Sequence, residues 1–433
     1  MPEFSHQPFF SGLLTVANWD LRQRARSRKL IVVWIVWAVV LAVIALGIVW
    51  IGYQVAYDPK NPSAWRASSG PAVFGFTVLL MLAFSLVIVP VFSASAIVAE
   101  REAATLATLQ ATTLQAAQIV GGKLLAACVI AAAFLAGGAP ALGIAVTVGH
   151  INVGRALVCL VVVYAEMVFL CAIAMGWSAV AARTLISTVL TYLTVFVLTF
   201  VSVLAMVLLS ALTITYDYDR TWSLSQDQQN AYTSQLTQYF QQHPTPDGSQ
   251  PPAPPLDQCF WQTATYPTSH THVERVWWLL LGNPFVVVSD AAPLPPDAKG
   301  DLDAYLGQGN LDPLAGLAAL TREARFGSPS TYYDCFTGTT YLSDPTSTGY
   351  DVAANPDGTF TVTNWKGGPS DRRTTAETPR PPTPGVPQTL SMTTPLWPLG
   401  LATHLVLAAF FFWVAVRKVT VPYGALPKGQ RVA

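Results

Sequence analysis

Residues 30 to 53 read LIVVWIVWAVVLAVIALGIVWIGY, a run of 24 residues without a charge. An α-helix rises 1.5 Å per residue, so about 20 apolar residues cross a hydrocarbon core of about 30 Å. The run therefore predicts a transmembrane helix. A basic cluster precedes it directly and predicts a cytoplasmic N-terminus. The cluster consists of Arg22, Arg24, Arg26, Arg28 and Lys29.

Five further apolar runs predict five more spans. They extend from Ala72 to Val98, from just after Lys123 to Val148, from Ala156 to Ala182, from Leu185 to Thr215 and from Leu396 to Val416. The chain is 52% hydrophobic and only 11% charged, which a soluble domain of this size could not hide from water. Successive spans cross the membrane in alternating directions. The segments on the same side as the N-terminus then carry 12 Lys and Arg residues, and the short loops on the other side carry 3. We therefore expect an all-α protein of the cell membrane with six transmembrane helices and both termini cytoplasmic.

The segment 216–394 contains no uncharged run long enough to cross a membrane, and it holds 18 of the 24 acidic residues. Because five spans precede it, we expect a large extracytoplasmic insertion between spans five and six. The predicted domains are a cytoplasmic N-terminal segment at 1–29, spans one to five at 30–215, the extracytoplasmic domain at 216–394, span six at 395–416 and a cytoplasmic tail at 417–433.

Within this insertion, Cys259 and Cys335 are the only cysteines. An exported segment lies where disulfides persist, so we expect them to be bonded, and two free thiols are the alternative. The apolar stretch from Val276 to Val288 is too short to span and is expected at the outer membrane surface or within the outer domain. His243, His270 and His272 share the insertion with abundant Asp, so a metal site is conceivable, but no partners at a known ligand spacing accompany them and none is expected.

Three ionisable residues fall within or beside the spans. Glu166 is the only acid inside a span. Because an intramembrane carboxylate is costly, it is a candidate for the substrate pathway. The alternative is a protonated or internally hydrogen-bonded glutamate at a seam of the bundle. Lys123 and His404 lie near span ends, where snorkelling to the interface explains them.

Ahead of the first span, apolar residues recur at helical spacing with the basic cluster behind them. They are Phe10, Leu13, Leu14, Ala17 and Leu21. This pattern predicts an amphipathic helix in the inner membrane interface. A simple topogenic anchor is the alternative.

Spans two and three are joined by EREAATLATLQATTLQAAQIVGGKLL, residues 100 to 125. The stretch is typical of a helix that leaves the membrane, a break, and a second helix that re-enters it. Thr112 and Gln115 have the spacing of a capping box for the second helix.

This stretch resembles the segment E-R-E-x-G-T-L-x-x-L-x-x-T-P followed by G-K-L-L in the permeases of type-2 ATP-binding-cassette (ABC) exporters. The matching residues are Glu100, Arg101, Glu102, Thr105, Leu106, Leu109, Thr112, Gly122, Lys123, Leu124 and Leu125. Two residues depart from the pattern, since Ala104 replaces the usual Gly and Thr113 the usual Pro. These departures bear on the local turn geometry. Asn283-Pro284-Phe285 is similar to an element found near the last span of such permeases.

The resemblance implies that residues 100–118 form a cytoplasmic coupling helix docked on a separate ATPase. The implied coupling residues are Glu100, Arg101, Glu102, Thr105, Leu106, Leu109, Thr112, Thr113 and Leu114. Charge reversal at Glu100 or Glu102 is then expected to uncouple ATP hydrolysis from transport and to leave the fold intact.

The implied function is that of the permease subunit of an ABC exporter for an unidentified amphipathic substrate. Its implied partners are ABC ATPase subunits, a second identical or homologous permease chain and membrane lipid, without nucleic acid. The resemblance implies that this chain holds no cofactor and that the ATPase binds ATP and Mg. The nearest match to G-x-x-x-x-G-K-[ST] is Gly121-Gly122-Lys123 followed by Leu124, so the chain itself is not expected to be an enzyme. The alternatives are a membrane-anchored extracellular binding protein without transport activity and an intramembrane enzyme that uses Glu166.

Overall fold

The structure is a computed structural model of the 433-residue chain. It describes residues 9–25, 28–57, 59, 64–105, 114–149, 151–218, 220–242, 252, 260–263, 266–293, 312–326, 331–333, 348–354, 359–366, 372–379 and 395–420.

The described part of the chain is mostly helical. Its α-helices are α1 (Phe9–Ala25), α2 (Arg28–Ala56), α3 (Ala64–Ser93), α4 (Val98–Glu102), α5 (Ala116–Gly137), α6 (Ala139–Gly149), α7 (Val153–Val180), α8 (Thr184–Phe196), α9 (Ser202–Ala211), α10 (Gln226–Gln242), α11 (Pro284–Ala291), α12 (Pro313–Phe326) and α13 (Trp397–Thr420). A π-helical turn, Val197–Val201, joins α8 to α9, and two 3-10 helices, Val273–Arg275 and Trp277–Gly282, precede α11.

Within the described residues, six helical segments are long and apolar enough to cross a membrane. They are Ile31–Val55, Gly70–Glu102, Ala116–Gly137, Val153–Val180, Thr184–Ala211 and Trp397–Thr420, and we call them spans one to six. The predicted number of spans is confirmed. Which side of the membrane each end faces stays a prediction.

The third predicted span differs from the observed one. The sequence predicts one run that follows Lys123 and reaches Val148, but the helix begins before Lys123, at Ala116, and ends at Gly137. The chain continues as the shorter α6 after a break at Gly138, whose backbone NH bonds to the Leu135 carbonyl. Pro140, the second residue of α6, has no NH to donate, which favours a new helix start here.

Contacts divide the chain into two compact units. The first unit comprises Met1–Ser210, Val273–Phe326 and Ser391–Ala433, and it contains all six spans. Its main core is formed by buried side chains of spans one to four together with α6, α11 and the start of α12. Span five contributes little to this core. In α8 the buried residues are Ser187 and Thr191, and in α9 no residue is buried.

A second, smaller core lies where several span ends meet. It consists of Ile97, Ile119, Val120, Ala179, Ala415 and Val419. These residues come from the end of span two, the start of span three and the ends of spans four and six. The four ends therefore lie together on one side of the bundle, as the predicted alternation of spans requires.

Two described parts of the predicted insertion, 273–293 and 312–326, belong to the first unit with the spans. Two buried ion pairs hold them there. Arg155 at the start of span four contacts Asp312 at 2.6 Å, and Arg322 of α12 contacts Asp290 of α11 at 2.6 Å. Asp290 also accepts the backbone NH of Trp397 at 2.8 Å. The stretch from Val276 to Val288 is thus helical and lies against the spans, while the exposure of segment 216–394 outside the cytoplasm stays a prediction.

The second unit comprises Ala211–His272 and Gly327–Leu390. Its described residues form eight short strands, β1 (Ile214–Asp217), β2 (Arg220–Ser223), β3 (Phe260–Thr263), β4 (Thr268–Thr271), β5 (Thr331–Tyr333), β6 (Thr348–Ala354), β7 (Thr359–Lys366) and β8 (Arg372–Pro379). They form a β1-β4 pair, a sheet of order β3-β2-β5 and an antiparallel meander β6-β7-β8.

The expected all-α fold is therefore wrong for this unit. Threonine and aromatic residues recur in its strands, as in TFTVTNWK from Thr359 to Lys366, and such residues favour strands over helices. The lack of spans and the polar composition of this segment do not distinguish strands from helices or loops. The predicted disulfide partners Cys259 and Cys335 lie outside the described residues, so their bond stays a prediction.

Candidate functional site

Helix α4 carries the three charges that begin the coupling segment, and it ends in a left-handed turn. The NH of Thr105 bonds to the carbonyl of Glu100, and the NH of Ala104 bonds to that of Arg101. Among the described residues other than glycine, Ala104 is the one with a positive φ, which is 57°. This pattern is a Schellman motif, in which glycine usually occupies the left-handed position. Ala104 thus retains the turn at the position where the resembling family has Gly.

Glu100 forms an ion pair inside the protein. Its Oε1 lies 2.6 Å from Nζ of Lys123, and the side chains of Glu100 and Lys123 are 14% and 2% exposed. Asp20 of α1 places a second carboxylate 3.9 Å from the same ammonium group. Lys123 is therefore a buried partner of two acids and does not snorkel to the interface. The geometry argues against a reversal of Glu100 that leaves the fold intact, because the reversal would place two buried ammonium groups together.

Arg101 binds the end of span four. The residue is 1% exposed, and its guanidinium donates from Nη1 to the Ala181 carbonyl and from Nη2 to the Ala179 carbonyl, each at 3.1 Å. The last carbonyls of a helix lack partners within the helix and carry partial negative charge. Arg101 satisfies two carbonyls at this end, so it fixes α4 to the C-terminus of α7.

Glu102 binds the start of span five. Its Oε1 accepts the NH of Thr184 at 2.9 Å, and its Oε2 accepts the Thr184 hydroxyl. Thr184 is the first residue of α8, where a carboxylate is favourable to the helix dipole. Glu102 itself is exposed. The turn between spans four and five is therefore held by Arg101 on one side and by Glu102 on the other.

The start of α4 is held in the same way. The hydroxyl oxygen of Ser178, near the end of span four, accepts the backbone NH groups of Ile97 and Val98, both at 3.0 Å. Those NH groups begin the helix and have no partner within it. The C-terminal end of span four thus contacts both the start and the end of α4.

Helix α1 packs along the first turns of span three. A Cβ atom at Gly122 would lie 2.7 Å from the Leu13 carbonyl oxygen and 2.7 Å from Cβ of Val16, so glycine permits this approach. Gln118 donates to the Phe9 carbonyl at 3.1 Å. Its Oε1 accepts the NH of Gln115, the N-cap of the helix. The reciprocal cap thus joins Gln115 and Gln118, three residues beyond the predicted pair.

The two faces of α1 differ. Val16, Ala17 and Asp20 are buried, whereas Phe10 and Leu14 are 75% and 57% exposed. The predicted amphipathic helix is therefore present, and its apolar residues are shared between a face on span three and an exposed face. The exposed apolar face suits the interface of a membrane.

Four of the predicted coupling residues, Leu106, Leu109, Thr112 and Thr113, lie outside the described residues. Of the remaining ones, Thr105 closes the turn after α4 by bonding to the Glu100 carbonyl. Leu114 is half-buried and packs on the smaller core where the span ends meet. The structure thus brings together the charged start of the segment and its apolar end.

Glu166 lies apart from this junction, in the interior of span four. Both its oxygens face Nδ1 of His404 in span six, with Oε2 at 2.8 Å and Oε1 at 3.0 Å. The residues are 4% and 2% exposed. Nε2 of His404 lies 2.9 Å from the Gly282 carbonyl oxygen. His404 is thus a buried partner of Glu166, and snorkelling does not explain it.

Sequence reasoning placed Lys123 and His404 correctly near the spans but missed both partnerships. An acid in a span and a histidine in another span could have suggested the pair, because an isolated intramembrane charge is costly. Nothing in the sequence except its place among basic residues indicated that Asp20 lies close to Lys123.

Comparisons with protein-family models and with curated proteins found no match to this chain. The chemistry of the two clusters therefore has to be argued from their geometry. One is a polar junction that connects the ends of spans two, three, four and five. The other is a buried carboxylate and imidazole between spans four and six.

Proposed function

We propose that the chain is the permease subunit of an ABC exporter, whose transport is driven by ATP that a separate ATPase hydrolyses. The observation that carries the proposal is the junction at residues 100–102. Three consecutive side chains contact the start of span three, the end of span four and the start of span five. A force applied to the segment that follows would therefore act on four spans at once.

Such a junction fits a coupling element because its contacts are directional and mostly buried. Hydrogen bonds to the charged groups Arg101 and Glu100 are stronger than neutral ones, and they hold α4 in a fixed position. The resemblance of residues 100–125 to the coupling segment of type-2 ABC exporters supplies the partner, an ATPase on the cytoplasmic side. The six candidate spans are compatible with this role.

In the proposed cycle, closure of the ATPases on ATP displaces the coupling segment and shifts the bundle between inward and outward access. The shift requires that the two states bind nucleotide with different affinity, since a ligand changes an equilibrium only by that difference. Two such permease chains, identical or homologous, would carry one ATPase each.

The experiment is affinity purification of the tagged full-length chain from its native cells in a mild detergent. We expect a second chain that contains G-x-x-x-x-G-K-[ST] in stoichiometric amount, together with vanadate-sensitive ATP hydrolysis. A variant with Leu109→Lys should lose that chain but elute as a folded protein. The matched control is Asp58→Lys, which changes charge in the predicted outer loop and should retain it.

Purification without any nucleotide-binding chain, from cells in which the protein is folded and inserted, would contradict the proposal. That result would favour the membrane-anchored binding protein instead.

A further inference from the structure

Span two is interrupted between α3 and α4. Helix α3 ends at Ser93 and α4 begins at Val98, and residues 94–97 between them form turns. We call these four residues the break. Small residues occupy positions 93–96, which read SASA, and Pro90 lies one turn earlier. Sharp changes of direction in helices occur at proline, at pairs of small residues or where a side chain enters the hydrogen-bond ladder.

The NH groups at the break depart from the helical pattern. In a continuous α-helix each NH bonds to the carbonyl four residues earlier. The NH of Ala96 bonds instead to the Ser93 carbonyl, three residues earlier, at 3.2 Å. The NH groups of Ile97 and Val98 both bond to the hydroxyl oxygen of Ser178 in span four. Three consecutive steps of the helical ladder are therefore replaced by other bonds.

Two carbonyls at the break also bond to side chains of other elements. The Phe92 carbonyl accepts Nη1 of Arg24 in α1 at 2.7 Å. The Ala94 carbonyl accepts the Ser187 hydroxyl of span five at 2.6 Å. Both carbonyls would accept backbone NH groups in a continuous helix. Ser187 and Ser178 are each 0% exposed, so these bonds form in the interior of the protein.

A continuous helix would satisfy the same backbone groups without these side chains. It would pair the NH of Ala96 with the Phe92 carbonyl and the NH of Val98 with the Ala94 carbonyl. The freed hydroxyls would bond carbonyls of their own helices, as serines within helices commonly do. No buried backbone group would then be left unpaired in either conformation, which is the condition for both to be accessible.

We propose that span two switches at the break between the interrupted form seen here and a continuous helix, and that Arg24, Ser178 and Ser187 hold the interrupted form. The three side chains come from α1, span four and span five, so the switch depends on how these elements pack on span two. Small residues at the break suit both forms, because their side chains add little bulk to either one.

The switch changes the direction of α4 relative to α3. Arg101 and Glu102 of α4 bind the turn between spans four and five, so reorientation of α4 acts on that turn. That displacement of the coupling segment drives the switch rests on the proposed function. The switch itself does not rest on it, because every contact that defines it lies within this chain.

The test measures distances in the purified full-length chain in lipid nanodiscs, without ATP or any ATPase. A nitroxide on an encoded keto amino acid replaces Ala103 at the end of α4, and a second replaces Val39 or Val55 of span one, which are 54% and 82% exposed. Ala103 lies about 9 Å beyond Ile97 at 1.5 Å per residue. Even a turn of about 20° would therefore move this label by about 3 Å. Pulsed electron paramagnetic resonance resolves such a shift.

Two variants each remove one side chain that holds the interrupted form. Ser178→Ala and Ser187→Ala should each raise the population at a second, common distance about tenfold, because a buried hydrogen bond is lost from one form only. Ser85→Ala is the matched control, since Ser85 is a buried serine of span two whose hydroxyl bonds within its own helix. Arg24→Met replaces either variant that does not elute as a folded protein.

Hydrogen exchange separates a switch from local unfolding. In the continuous helix the NH groups of Ile97 and Val98 stay bonded, so their exchange in Ser178→Ala should remain within about twofold of the wild type. If Ser178 only fills a structural role, its loss leaves both NH groups unpaired, and their exchange should rise about tenfold or more.

A label at Val91 serves as the reference, because Val91 precedes the break and is 55% exposed. Its distances to span one should be the same in all variants. An equal shift at Val91, a single distance in every variant, or fast exchange at Ile97 and Val98 would overturn the proposal. Because no ATPase is present, those results leave the proposed permease role standing. Failure to find an ATPase partner likewise leaves the switch standing.

Discussion

Replacing Glu100 with glutamine should lower the free energy of unfolding by about 3 kcal/mol. The Lys123 ammonium lies 2.6 Å from the Glu100 carboxylate, and its side chain is only 2% exposed. Removing one partner of a buried ion pair costs about 3 to 5 kcal/mol, because the other charge stays buried without compensation. We take the lower end of this range for two reasons. Glu100 is 14% exposed, and Asp20 leaves a second carboxylate 3.9 Å from Lys123.

The double variant Glu100→Gln with Lys123→Met should lose less than the sum of the two single losses, by about 2 kcal/mol. The assay is equilibrium unfolding in mixed micelles of dodecyl sulfate and dodecylmaltoside, followed by tryptophan fluorescence. Glu102→Gln is the control, because Glu102 is exposed and its loss should be much smaller. A loss below about 0.5 kcal/mol for Glu100→Gln, typical of a surface pair, would refute the buried junction, as would strict additivity.

Three further predictions concern single features. Ala104→Gly should stabilise the fold by up to about 1 kcal/mol in the same unfolding assay, because glycine occupies the left-handed position without strain. Gly122→Leu should detach α1 from span three, because even a Cβ atom at this position would lie 2.7 Å from the Leu13 carbonyl oxygen. The detachment should appear as faster proteolysis within α1. An unchanged rate of proteolysis would contradict the prediction. Non-reducing mass spectrometry should find the peptides of Cys259 and Cys335 linked, whereas two freely alkylated thiols would end that expectation.

The spans could be predicted from sequence because the membrane imposes one strong rule on them. A run of about 20 apolar residues satisfies its backbone hydrogen bonds only as a helix, whatever its neighbours are. The ends were less certain, since a charged residue such as Lys123 looks like a boundary. In the structure it lies inside span three because Glu100 neutralises it.

The polar contacts could not be predicted because they join residues far apart in sequence. Glu166 and His404 are 238 residues apart, and Arg155 and Asp312 are 157 apart. Nothing in the local pattern of either residue specifies its partner. The motif at residues 100–102 was recognised, but its three side chains proved to have partners within the chain. The same distance effect explains why the contact of Asp312 with Arg155 at the start of span four was not predicted.

The strands of the second unit were missed for a different reason. Its composition indicated an aqueous segment, and composition alone does not distinguish strands from loops. The alternation in Thr359–Lys366 was visible in the sequence and is the signal that could have found the meander.

The most direct test of the permease assignment is site-specific photo-cross-linking in intact native cells. A benzoylphenylalanine placed at Leu109, in the predicted coupling segment, should form an adduct with a chain that contains a nucleotide-binding motif. The same group at Tyr57 should form no such adduct. Tyr57 is 43% exposed and follows span one, at the end predicted to face away from the cytoplasm. Adducts from Leu109 with lipid alone, or with no nucleotide-binding chain in a folded and inserted protein, would contradict the account.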